Sequence, residues 1–136
     1  MKNNRGGWVP LFKSMPDSEK VNAVSESAEV LYVRLLTVCD DNGRYVADPR
    51  WIVAKVFTSR GIVGQVNAED IALRIDELAT AGLIVTYESD GKPYLEIIEH
   101  FRHSRRDTKP DLRFPAPPET PVTNPRRIRY GCVTNV

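Results

Sequence analysis

The side chains best suited to chemistry, or to holding a charged partner, gather in one stretch, HFRHSRRDTKPDLRFP, residues 100–115. It holds two histidines, five Lys/Arg and two prolines. His100 and His103 are spaced so that a helix would point both at one metal ion. A zinc site takes three or four protein ligands, and no further ligand lies at hand, so no metal is expected. His100 and Phe101 read instead as anchors where the chain leaves the body. Arg102, Arg105, Arg106, Lys109 and Arg113 are spread along a proline-punctuated run. An extended run of that kind can track a polyanion, each cation displacing condensed counterions. The plainer alternative is a solvated tail. Arg126, Arg127 and Arg129, beside Tyr130, form a second basic cluster.

Other candidates are scattered. Lys92 sits at a turn and Tyr94 follows it; they could reach a phosphate and a base, or be a solvated turn and a packed strand tyrosine. Arg60 lies in a glycine-bearing segment, and Arg74 is the one cation on an otherwise acidic helix. Arg50 reads equally as a surface charge. Enzyme signatures are absent: no phosphate loop, no dinucleotide glycine pattern, no His-Glu-x-x-His and no nucleophile elbow. No catalytic residue and no cofactor are expected. Asp40-Asp41 is better explained as a helix stop than as a catalytic pair. Cys39 and Cys132 are too far apart in sequence to suggest a disulfide framework. Cys39 reads as a packed residue.

The balance of charge is uneven. Residues 1–99 carry 11 Lys/Arg against 15 Asp/Glu, and residues 100–136 carry 8 against 3. A net −4 body joined to a net +5 tail makes the tail the electrostatic footprint. No apolar run approaches the roughly 18 residues of a membrane helix. The first ten residues have no apolar signal core. A cytoplasmic protein without membrane association is therefore expected, built as one domain, since 136 residues hold one good core and not two.

The elements that must position these residues follow from spacing. Residues 8–12 are a short apolar segment containing Pro10, either an edge strand or an arm on the body. Ala28, Leu31, Tyr32, Leu35, Leu36 and Cys39 lie on one helical face, which predicts a helix over residues 25–39. Ser25 or Ser27 can cap it, and Asp-Asp-Asn-Gly ends it. Residues 44–47 are a short strand. Asp48-Pro49 opens a second helix, to about Phe57, burying Ile52, Val53, Val56 and Phe57. Residues 58–66, with Gly61 and Gly64, read as loop. Asn67 caps a third helix with Ile71, Ile75 and Leu78 inside and Gly82 just past its end. Residues 83–88 and 94–98 alternate as strands about a Ser-Asp-Gly-Lys turn.

Helix, short strand, helix, helix and hairpin predict an α+β chain. The arrangement is a winged helix-turn-helix, with three helices, a β-hairpin wing and a short extra strand. The expected divisions are an N-terminal arm (1–20), the winged-helix domain (21–101) and a basic, proline-rich extended tail (102–136). In such a domain the third helix usually enters the major groove. Here Glu69, Asp70, Asp76 and Glu77 would oppose phosphates, so the wing, the glycine-bearing segment and the tail are the expected contacts.

Three stretches, SAEVLYVRLLTVCDDNGRYVADP, IALRIDELATAGLIVTYESDGKPYLEI and HFRHSRRDTKPDLRFPAP, carry a further likeness. Over roughly residues 20–118 the chain resembles the winged-helix domains of phage replication proteins related to DnaD-type primosomal proteins. The more specific matches are Asp40, Gly43 and Arg44, then Gly82, Leu83 and Ile84, then the tyrosine-bearing hairpin. It departs at His103-Ser104, where the family often has His-Gln. The resemblance implies phage or prophage DNA as partner, replication initiation as the process, and host or phage replication proteins as further partners. Two readings from other classes stand beside it: a protein-interaction module using the acidic third helix, and a small transcriptional regulator. Oligomeric state is not legible.

Overall fold

The structure, a computed structural model, describes residues 8–98 and 111–118. Among them the architecture is α+β: five helices and one three-stranded antiparallel sheet. The helices are α1 (Glu19–Asn22), α2 (Glu26–Val38), α3 (Pro49–Val56), α4 (Thr58–Ile62) and α5 (Ala68–Thr80). The strands are β1 (Arg44–Val46), β2 (Ile84–Ser89) and β3 (Lys92–Ile97), in the order β1-β3-β2.

The longer helices start where the sequence supplies an acceptor for their first free N–H groups. The Ser25 hydroxyl accepts from the Ala28 N–H at 3.1 Å, settling which serine caps α2. Asp48 accepts from Arg50 at 3.0 Å, with Pro49 in the first turn of α3. Asn67 and Asp70 cap each other reciprocally at 2.9 and 3.1 Å. From these starts the apolar spacing turns Leu31, Leu35, Ile52, Ile71 and Leu78 inward, all fully buried. They meet Phe57, Ile84, Leu95 and Ile97 in one core. Each such side chain contributes roughly 1.5–3 kcal/mol by leaving water. Val53, expected inside, is half-buried at the edge of that core.

Two helices exceed the three expected. α1 is a single turn, capped by Ser18 and preceded by a 3-10 turn at Met15–Asp17. α4 replaces the start of the expected 58–66 loop. Gly61 invites the loop reading, but a Cβ there would lie 2.6 Å from Val53 Cγ1. The glycine lets α4 approach α3 and does not break a helix. Residues 8–12 form no strand; they lie as an arm over an apolar groove of about 230 Å³ that Leu36, Leu83 and Ile98 also line.

The hairpin is as expected. Asp90 and Gly91 at its turn have φ of 54° and 77°, the two left-handed residues of a type I′ turn. In register, Tyr45 faces Leu95, while Arg44 and Val85 both face Glu96. Alternation therefore puts Tyr45, Leu95, Ile84 and Ile97 toward the helices, and Arg44, Val85, Tyr87, Tyr94 and Glu96 on the other face.

That second face is covered by the chain itself. Residues 111–115, expected in an extended tail beyond a boundary at 101, return to the body. Asp40 is 1% exposed, and its two carboxylate oxygens accept four backbone N–H groups. Asn42 and Arg44 donate to Oδ1 at 2.9 and 3.1 Å. Arg113 and Phe114 donate to Oδ2 at 3.0 and 3.1 Å. Asp111 and Asp41 exchange bonds of 2.7 and 2.8 Å, and the Tyr87 hydroxyl donates to the Pro115 carbonyl at 2.6 Å. The Phe114 ring meets Tyr45 edge-on at 5.6 Å and Tyr94 at 6.2 Å.

Candidate functional site

The residues singled out from sequence do not form one cluster. Arg102, Arg105, Arg106 and Lys109 lie outside the described residues, as do His100, His103 and the 126–130 cluster. Lys92 opens β3 at the hairpin turn and is exposed. Arg60 stands exposed in the last turn of α4. Arg50 and Lys55 are exposed on α3, where the Lys55 ammonium lies 5.2 Å from the Trp51 ring centre.

The other three candidates are engaged in packing. Tyr94 stacks on Tyr87 with ring centres 5.8 Å apart, and Phe114 closes over it. Burial raises the Tyr87 hydroxyl above its ordinary pKa, so it stays a donor to Pro115. Arg74 is half-buried, its guanidinium 5.8 Å from the Phe57 ring centre. Arg34 lies on the same ring at 4.5 Å and donates to the Val56 carbonyl at 2.7 Å. Arg113 donates to Asp111 at 2.7 Å and to the Val38 carbonyl at 3.0 Å. These guanidiniums hold elements together.

The outward face of α5 is chemically distinct. Glu69, Leu73, Asp76 and Thr80 recur at helical spacing, and all four are exposed. The flanking carboxylates are occupied. Asp70 belongs to the cap, and Glu77 accepts from the Ser25 N–H and hydroxyl at 2.9 and 2.7 Å. Those two bonds hold the Glu77 carboxyl below the ordinary carboxylate pKa. No basic side chain of α5 is fully exposed. A polyanion laid along this face would meet carboxylates and a leucine.

Sequence reasoning passed over two features. Asp40 reads as a helix stop, yet it is the buried acceptor that docks residues 113 and 114. Its signal is local: an Asp whose oxygen can bond the N–H two residues on. Phe114 is the apolar anchor of the returning chain, hidden among prolines. Among the described residues no group of three or more His, Cys, Asp or Glu is arranged to hold a metal. No helix there is long and apolar enough to cross a membrane. Comparison of the chain with protein-family models, curated proteins and solved structures finds no match.

Proposed function

We propose that this chain is a winged-helix protein that binds DNA through its wing, α4 and its basic run, and not through α5. The observation that carries the reading is the topology. Three longer helices precede a hairpin, β1 pairs with β3 at the sheet edge, and the type I′ turn presents Lys92 to solvent. Arg60 is exposed, and the sequence adds four further cations at Arg102, Arg105, Arg106 and Lys109. Binding of this kind is dominated by phosphate contacts, so it depends steeply on salt and weakly on sequence. The process we propose for it, initiation of phage or prophage DNA replication, is what the resemblance read from the sequence implies.

A second reading, a protein-interaction module, is favoured by one observation: the outward stripe of α5 presents Leu73, 67% exposed, between two carboxylates. Fluorescence anisotropy with short labelled single- and double-stranded DNA, across a salt series, separates the two. The DNA reading expects binding at low salt that weakens at least tenfold as salt rises fourfold. Absence of binding to both strand states at low salt overturns it in favour of the interaction module.

A further inference from the structure

From Pro49 to Val66 the chain holds Arg50, Lys55 and Arg60 and no Asp or Glu, although residues 1–99 as a whole carry a net charge of −4. On α3 the exposed positions are Arg50, Trp51, Ala54 and Lys55, neighbours on one helical face. α4 follows after Phe57 and carries the exposed Arg60. Among the described residues none of the three cations is in an ion pair. The indole in their midst is open yet held. Trp51 is 43% exposed, and its ring N–H donates to the Tyr45 hydroxyl at 3.2 Å. Tyr45 is itself buried, with the Phe114 ring edge-on at 5.6 Å. On the same face the Lys55 ammonium lies 5.2 Å from the indole centre.

We propose that Trp51 is a base-stacking platform for single-stranded nucleic acid, with Arg50 and Lys55 meeting the flanking phosphates. An open π-face bordered by cations answers both halves of an unpaired nucleotide: the ring takes the base and the cations take the backbone. Duplex bases already stack on one another and present no free face, so this chemistry selects a single strand. The bond to Tyr45 fixes the indole beforehand, which reduces the freedom lost when a base settles on it. The carboxylate-free surroundings keep repulsion away from the phosphates. The proposal rests on the DNA-binding reading and adds to it α3 and a preferred strand state.

The test uses the full chain. Trp8 and Trp51 are its two tryptophans, so Trp8→Phe leaves Trp51 as the sole indole emitter. An oligothymidylate of about 12 nucleotides, near the span of one single-strand site, should quench that emission as anisotropy of a labelled copy reports binding. Trp51→Ala should weaken single-strand binding by about 5- to 150-fold, the loss of one stacked base. Trp51→Phe, which keeps a ring, should recover much of it. Arg50→Gln/Lys55→Gln should make the salt slope shallower by about 1.4, since each single-strand phosphate contact contributes roughly 0.7. Binding that leaves the Trp51 emission unchanged overturns the proposal while sparing the DNA-binding reading. So does a Trp51→Ala loss that is equal for single and double strands, or absent from both. No binding to either strand state at low salt overturns the DNA-binding reading and this proposal with it.

Discussion

Replacing Asp40 by Asn should release the C-terminal strip. The carboxylate gives two acceptor oxygens to four N–H donors, two on each side. Asparagine keeps one oxygen and turns an NH₂ group toward the other pair. If the oxygen stays with Asn42 and Arg44, the N–H groups of Arg113 and Phe114 face a donor at a site 1% exposed. The N–H groups of Arg113 and Phe114 are partly buried, so each one left without an acceptor costs at most about 1–3 kcal/mol. The variant should therefore lose between about 1 and 6 kcal/mol, a large part of a stability of about 5–15 kcal/mol. The loss is capped at the free energy of docking the strip if the strip opens alone. Urea unfolding measures the total, and amide exchange at Arg113 and Phe114 locates it. Asp41→Asn, which touches Asp111 at the surface, should cost less than about 1 kcal/mol and serves as control. A change below about 0.5 kcal/mol in Asp40→Asn, with unprotected Arg113 and Phe114 amides in the parent protein, would refute the reasoning.

Three further outcomes follow from the same contacts. Gly61→Ala should destabilise by roughly 1–3 kcal/mol in thermal or urea unfolding, since its methyl group meets Val53 Cγ1 at 2.6 Å. Asn67→Ala removes the reciprocal cap of α5 and should cost about 0.5–2 kcal/mol, read in the same way. Glu77 has a folded pKa below its unfolded value of 4.5, so its bonds to Ser25 stabilise fully above that value. That contribution fades as pH falls through the lowered pKa. Glu77→Gln should flatten this part of the acid dependence of the melting temperature and leave its shape near neutrality unchanged.

The parts of the fold legible from sequence are those set by local chemistry. Ser25, Asp48 and Asn67 mark helix starts because each offers an oxygen to N–H groups two or three residues on. Asp90-Gly91 marks the hairpin because both residues take positive φ. The apolar spacing of α2 and α5 names their inner faces without reference to any partner. What stayed hidden depends on distant partners. The Asp40–Arg113 bond joins positions 73 residues apart, and the composition of residues 110–118 speaks only of extension. Gly61 signals a break by its type, while its neighbour Val53 explains it. At the candidate site the acidic character of α5 was legible. For Tyr94, packing on a strand is one of the two readings its position allows, and it is what the structure shows. The engagement of Arg74 and Arg113 was not legible, because their ring and carbonyl partners, Phe57 and Val38, come from other elements.

The most direct test of the central claim compares two variants in the DNA-binding assay at fixed low salt. Arg105→Glu/Arg106→Glu reverses two charges in the basic run, while Arg74→Ala removes the one cation of α5. The account predicts at least tenfold weaker binding and a shallower salt slope for the first, and a change within about twofold for the second. Equal losses, or a larger loss for Arg74→Ala in a protein whose amide spectrum remains folded, would contradict it and return the contact to α5.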